Sequence, residues 1–253
     1  ATKILLTTAP ASIISGISMS QPVVKYVDAN NTVDTAISVD QVTITENGVG
    51  SLAGTSTVTA LSGVATFSGL IYTALADQEA VTFTFTDDAA GAKNFSAAPV
   101  TSAQTADVVA TKLVFTTQPA GSVSGFALTT QPVVEARDAN NIKDINYVTA
   151  VTASENEAGT LTGTLTVTPI AGVATFTDLV YTATADQETF QIDFASGTLT
   201  GATSNSVVSD VVATKLLITT EPGSIISGVS MSQPVVKYVD ANNLVDTAIS
   251  TDK

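Results

Sequence analysis

The stretch QPVVKYVDANN occupies Gln21–Asn31, returns as QPVVEARDANN at Gln131–Asn141, and returns unchanged at Gln233–Asn243. Its first half, rich in Val, suits a strand, because β-branched side chains fit a pleated, half-buried surface. Pro22 stands at the edge, where a missing N–H is tolerated. Its second half, DANN, reads as a turn: Asp and Asn accept left-handed backbone and bond their own main chain. A strand and a turn written three times make this a repeat protein, and internal periodicity decides the fold before any other feature.

Working outward, ATKILLTT at Ala1 recurs as ATKLVFTT at Ala110 and ATKLLITT at Ala213. The repeats therefore run 1–109 and 110–212, with 213–253 the beginning of a third. Leu52–Glu79 (LAGTSTVTALSGVATFSGLIYTALADQE) aligns with Leu161–Glu188 (LTGTLTVTPIAGVATFTDLVYTATADQE). The third repeat differs from the first at eight positions, residues 4, 6, 9, 11, 17, 32, 39 and 41. It is nearer to the first repeat than the second is, which suggests two alternating repeat types. The fragment holds two strands and the start of a third, and about 40 residues are too few for an independent core. It is expected to be a window on a longer array, or else a segment that completes a neighbour's sheet by strand addition.

Within the first repeat, strands are expected at KILLTT, at QPVVKYVD, and near Val39–Glu46, Thr55–Ala60, Val64–Thr73, Ala80–Thr86 and Gln104–Val109. VTFTFT (Val81–Thr86) and TLTVT (Thr164–Thr168) alternate cleanly, placing one face in a core and the other in water. Seven short strands per repeat predict an all-β chain of tandem antiparallel immunoglobulin-like β-sandwich domains. A solenoid repeats every 20–50 residues, and this period is longer. The junctions, TADVVATKLVFTT (Thr105–Thr117) and SDVVATKLLITT (Ser209–Thr220), contain neither Gly nor Pro. A flexible linker would be rich in Gly and Ser. The last strand of one repeat is expected to run almost directly into the first of the next, each domain adding on the order of 40 Å to a slender rod.

Composition narrows the function. The 253 residues are 44% hydrophobic, ample for buried cores, and only 13% charged, about half the usual share. Nine Lys and Arg against 23 Asp and Glu give a net charge of −14. Phosphate recognition needs clustered basic residues, so nucleic acid is not an expected partner, and an anionic membrane surface is disfavoured. No run of eighteen apolar residues occurs, so membrane insertion is not expected. The chain has no Cys and no signal peptide opens it. Its stability must come from burial and strand pairing, as in an exported bacterial or archaeal protein or an excised piece of one. His is absent too, which removes the commonest general base, and no Gly-rich phosphate loop occurs. An enzyme is not expected.

The run TTQPAGSVSG, then TTQPVVEARDANN, then GTLTGTLTVTPIAGVATFTDLVY resembles the bacterial immunoglobulin-like (Big-type) tandem repeats of large cell-surface, adhesin-like proteins. The resemblance covers both full repeats and the third fragment. It implies a stalk in an adhesin, surface-layer protein or extracellular fibre, with other copies of the same repeat or protein as partners. It also implies a surface ligand held by regions outside this chain. No particular binding residues come with it.

Four candidate sites follow from the residues. The D-x-N-N-x-x-D loop occurs at Asp28, Asn30, Asn31 and Asp34, at Asp138, Asn140, Asn141 and Asp144, and at Asp240, Asn242, Asn243 and Asp246. Alternating oxygen ligands can wrap Ca²⁺, which takes six to eight of them. A polar hairpin turn accounts for the same residues, since the Gly and the later Glu of an EF-hand are missing. Second, Asp107 and Asp210 at the junctions could meet Asp77 and Asp186 of ADQE around an interdomain Ca²⁺, or be solvated acids flanking a strand. Third, Lys3, Lys112 and Lys215 sit equivalently on first strands, with Asn94 and Asn205 late in their repeats. A Lys–Asn isopeptide crosslink competes there with simple protection of an edge strand by charge. Fourth, Asn30-Asn31-Thr32 and Asn94-Phe95-Ser96 fit the glycan acceptor pattern by chance or by design.

The expected role is a structural segment of an extracellular stalk or fibre, which spaces and stiffens its parent. One alternative is an adhesive module for carbohydrate or protein, which requires an exposed aromatic cluster. Phe67, Tyr72, Phe176 and Tyr181 recur at strand positions instead, as core residues do. A further alternative is a filament subunit assembling by strand complementation.

Overall fold

The computed structural model describes residues 1–88, 94, 95, 99–223 and 225–249. Among these residues the regular structure is β throughout, with no helix, and so none long and apolar enough to cross a membrane, which says nothing of a β-barrel. The chain divides into two compact units, residues 1–110 with 137–145, and residues 111–136 with 146 onward.

The first unit carries β1 (Lys3–Thr8), β2 (Val23–Val27), β3 (Gln41–Glu46), β4 (Ser51–Ala53), β5 (Thr57–Thr59), β6 (Val64–Thr66), β7 (Ile71–Thr73), β8 (Glu79–Asp87) and β9 (Val100–Ala106). They pair as β1-β2-β6, β5-β3-β8-β9 and β4-β7. The alternation in VTFTFT acts as expected: Val81, Phe83 and Phe85 are buried while the threonines between them are not. They meet Ile4, Val24, Tyr26 and Ala65 of the other sheet, with Val42 and Ile44, in one core cluster. This is a sandwich of two main sheets around a single core, with β4-β7 a small third sheet. The named pairs are antiparallel, but Ile14 forms a parallel bridge with Asp107, because the chain after β1 leaves its first sheet and joins the edge of the second.

The second unit carries β10 (Lys112–Thr117), β11 (Ser122–Val123), β12 (Phe126–Ala127), β13 (Val133–Arg137), β14 (Val151–Glu155), β15 (Thr160–Thr162), β16 (Thr166–Val167), β17 (Val173–Thr175), β18 (Val180–Thr182), β19 (Glu188–Phe190), β20 (Ile192–Ala195), β21 (Ala202–Thr203), β22 (Val207–Asp210), β23 (Lys215–Thr220) and β24 (Val235–Val239). Its pairings repeat the plan as β10-β13-β17 and β16-β14-β20-β21, with β11 parallel to β22. The long strand β8 has two counterparts here, β19 and β20, interrupted at Gln191. There the Ile192 N–H donates to Ser204 Oγ (2.9 Å), so a side chain supplants a ladder bond. Phe194 lies edge-on to Phe176 (5.0 Å) and Phe115 (5.3 Å) in this core.

Some strands are shorter than the alternation predicts. The run Val64–Thr73 breaks into β6 and β7 around Gly69, which has a φ of 65°. Thr55–Ala60 shrinks to β5, and β4 appears before it. Between these two strands Gly54 stands at φ 105°, where a Cβ would lie 2.3 Å from the Gly69 carbonyl oxygen, so only glycine lets the two loops touch.

The hairpin β23–β24 belongs to the second unit and copies β1–β2 down to its register: Leu216 faces Tyr238 as Ile4 faces Tyr26. Its burial differs. Ile4, Val24 and Tyr26 are at most 3% exposed, whereas Leu216, Val236 and Tyr238 are 60%, 48% and 43% exposed. The expected start of a third strand after Ile249 lies outside the described residues.

Candidate functional site

The four-residue phrase Ala76-Asp77-Gln78-Glu79, repeated as Ala185-Asp186-Gln187-Glu188, joins β7 to β8 and β18 to β19. Gln78 and Gln187 both have φ 58°, a left-handed conformation uncommon outside glycine. Hydrogen bonds on either side hold it. Asp77 Oδ1 accepts the N–H groups of Gln78 (2.8 Å) and Val108 (2.7 Å), and its Oδ2 accepts that of Ile145 (2.9 Å). In the second unit Asp186 Oδ1 accepts from Gln187 (2.9 Å) and Val211 (2.8 Å), and Oδ2 from the Thr247 N–H (2.7 Å) and hydroxyl. In each unit one carboxylate therefore ties the end of one sequence repeat to the loop that follows DANN in the next.

The glutamates fasten the corner to the sandwich. Glu79 Oε1 accepts from Val49 (2.7 Å), Gly50 (2.9 Å) and the Tyr72 hydroxyl, and Oε2 from Leu75 (2.9 Å). Glu188 does the same with Gly159 (3.0 Å), Tyr181 (2.8 Å), Thr184 and Ala185. Gly159 must lack a side chain, since a Cβ there would sit 2.3 Å from the Tyr181 ring and hydroxyl. Burial, then the bond to the glutamate, raises the pKa of each tyrosine above its ordinary value.

Burial alone would raise Asp186, but hydrogen bonds from Thr247, Val211 and Gln187 outweigh it and hold the carboxyl at about 2. Glu79 and Glu188 lie below their ordinary value because the tyrosine and backbone bonds outweigh burial in the same way. A depressed carboxyl stabilises the fold above its unfolded pKa, and that contribution fades as pH falls through the folded value. For Asp186 the window runs from about pH 4 down to about pH 2. The denaturant midpoint of the second unit should therefore fall across this window, and Asp186→Asn should flatten the fall. Equal slopes for the two chains would remove Asp186 from the account.

The DANN residues form Asx turns. Asp28 Oδ1 accepts from Asn30 (2.9 Å) and Thr32 (2.8 Å), Asp138 Oδ1 from Ile142 (2.8 Å), and Asp240 Oδ1 from Asn242 (2.9 Å) and Leu244 (2.8 Å). Asn31, Asn141 and Asn243 take φ values of 67°, 66° and 68°. The last acid of each phrase holds the start of its own repeat: Asp34 the Ala1 amino group, Asp144 the Ala110 N–H (2.9 Å), and Asp246 the Ala213 N–H (3.0 Å). These oxygens face N–H donors. Among the described residues no group of three or more acids is placed to hold a metal ion. Asn30, Asn140 and Asn242 lie in the turns, where the Asn30 and Asn242 N–H groups donate to Asp28 and Asp240 and the Asn140 side-chain amide to Asp138 (3.5 Å).

At the junctions the Gln78 side-chain amide bridges Asp77 and Asp107, and that of Gln187 bridges Asp186 and Asp210. The paired acids named from the sequence do meet, with a neutral amide between them. The tyrosines lie in the core, as their recurrence at strand positions implies, whereas the glutamine and the glutamate are not among the candidates read from the sequence. Their signal was there in ADQE and LIYT/LVYT, which recur at one spacing. Lys215 Nζ donates to the Ala241 carbonyl (3.1 Å) and the Asn205 N–H to Gln118 (2.9 Å). Ser96 of the second glycan pattern lies outside the described residues.

No protein-family model matches this chain. No curated protein matches it either. Solved structures do. A glycosyl hydrolase family 2 member from Bacteroides cellulosilyticus is 10% identical with a TM-score of 0.34, covering 78% of this chain and 23% of its own. The Escherichia coli adhesin FdeC is 13% identical with a TM-score of 0.39, covering 95% of this chain and 74% of its own. Invasin, a bacterial integrin-binding protein, is 13% identical with a TM-score of 0.36, covering 98% and 48%. The chain thus spans about a quarter of the hydrolase. The expectation that an enzyme is excluded does not stand, because a glycosyl hydrolase, a β-glucuronidase and a β-glycosidase are among the structures this chain is similar to. The missing His argued from one residue type, and glycoside hydrolysis uses carboxylates instead.

Proposed function

We propose that this chain is a repeat segment of a bacterial or archaeal surface stalk or fibre, spacing and stiffening a larger adhesin-like or surface-layer-like protein. The supporting observation is the duplicated aspartate corner. Asp77 and Asp186, 109 residues apart, each accept from a residue just past the closing strand of one repeat and from the opening loop of the next. Local hydrogen bonds at every junction are what a spacer needs, because they resist bending without a ligand. Other copies of the same repeat are the natural partners.

Electron microscopy of the purified chain tests this reading. Straight particles are expected for the parent chain, with or without chelator, since the corner uses N–H donors. The double variant Asp77→Ala, Asp186→Ala should bend at its junctions. Particles equally bent in parent and variant would defeat the stiffening role. A second reading, an adhesive module for carbohydrate or protein, is favoured by Phe126. This ring is 66% exposed beside a shallow apolar groove lined by Val123, Ala127 and Val212.

A further inference from the structure

The two full repeats solve one packing problem differently. In the first, Tyr26 on β2 is buried, and its hydroxyl donates to Asp87 Oδ1 at the end of β8 (2.7 Å). Asp87 is itself buried, and its Oδ2 accepts the Phe95 N–H (2.7 Å). In the second repeat Ala136 takes the place of Tyr26 and Ser196 that of Asp87. A different phenol, Tyr147 from the preceding loop, reaches Ser196 Oγ (2.7 Å), which also bonds the Ala150 carbonyl (2.8 Å). Ile44 and Val81 of the first core become Ala153 and Phe190 in the second. A strand tyrosine thus goes with a long carboxylate acceptor, and a strand alanine with a short hydroxyl.

The hairpin β23–β24 carries the first solution. It has Tyr238 in the register of Tyr26 and Ile249 in the place of Ile37, and its apolar face is bare. The first unit displays the cover for such a face: Val42, Ile44, Phe83 and Phe85 on β3 and β8. We infer that the open face of β23–β24 is a docking surface selective for a sheet of the first-repeat type. Such a sheet brings an aspartate, at the position of Asp87, to the Tyr238 hydroxyl, and a second-repeat sheet does not fit. A serine in that place stops short of a strand tyrosine and leaves its buried hydroxyl only the longer bond to a backbone carbonyl, which Tyr26 makes to Gln41 (3.3 Å), so the equilibrium weakens roughly ten-fold.

The test extends the whole chain beyond Lys253 with a copy of residues 42–109 or of residues 151–212. Amide exchange is then read in Val235–Val239. The first-repeat extension should slow exchange at least ten-fold more than the second-repeat extension. An appended copy carrying Asp87→Ser should lose most of that gain. Equal protection by both extensions would overturn the inference. A second measurement needs no extension: a double-mutant cycle of Tyr26→Phe and Asp87→Ser in the chain as it stands. The combined loss should fall short of the product of the single losses by roughly five-fold or more. Independent effects would overturn the pairing rule on which the selectivity rests.

Discussion

Phe194→Ala is expected to remove about 3–5 kcal/mol from the second unit. The ring is 1% exposed and meets Phe176 and Phe115 edge-on, so truncation leaves a void bounded by two other rings. Phe115 sits on β10 and Phe176 just past the end of β17, both strands of the opposite sheet, and they cannot close the gap without moving the sheets together. Thermal unfolding should resolve into two transitions. That of the second unit should fall by more than about 10 °C while that of the first holds. Phe126→Ala, at an exposed ring, should shift neither by more than about 0.5 kcal/mol. Similar losses for the two substitutions would mean that the core lies elsewhere.

Glu188→Ala is expected to cost about 2–3 kcal/mol, more than a half-exposed glutamate usually would. The carboxylate is the acceptor for the buried Tyr181 hydroxyl and for N–H groups of Gly159, Thr184 and Ala185. Removing it takes this acceptor from the Thr184 and Ala185 N–H groups and from the hydroxyl of the fully buried Tyr181, while the Gly159 N–H keeps only its bond to that hydroxyl (3.1 Å). Tyr181→Phe deletes the most deeply buried of the donors. The double variant Glu188→Ala, Tyr181→Phe should therefore lose less than the two single losses combined. Denaturant titrations of the four chains measure this. Strict additivity would show that the tyrosine and the glutamate act separately.

Much of the fold could be read from residue periodicity. VTFTFT buries every second residue, and the repeated Pro-Val-Val strand lies where its branched side chains suggest. The splitting of Val64–Thr73 could not be read, because the break depends on Gly69 meeting the loop at Gly54, a contact made only once both hairpins are folded. The parallel edge pairing of Ile14 with Asp107 depends likewise on a chain crossing from one sheet to the other, and alternation carries no sign of it. At the candidate site, the sequence drew attention to Asp77, Asp107, Asp186 and Asp210 as acids near junctions. Their purpose lay with partners that carry no charge: backbone N–H groups of Val108, Ile145, Val211 and Thr247, and the amides of Gln78 and Gln187. Backbone donors are the same in every residue, so no residue type announces them. The DANN acids show the same difficulty, since a carboxylate turned toward its own main chain and one turned toward a cation are spelled alike.

Amide hydrogen exchange at Ile145 and Thr247 measures the corner most directly. In the parent chain both N–H groups, held by Asp77 and Asp186, should exchange slowly. In Asp77→Ala the Ile145 amide, and in Asp186→Ala the Thr247 amide, should speed up at least ten-fold, while core amides of β8 and β20 keep their rates. Unchanged rates at Ile145 and Thr247 in these variants would contradict the claim that one aspartate fastens each repeat to its successor.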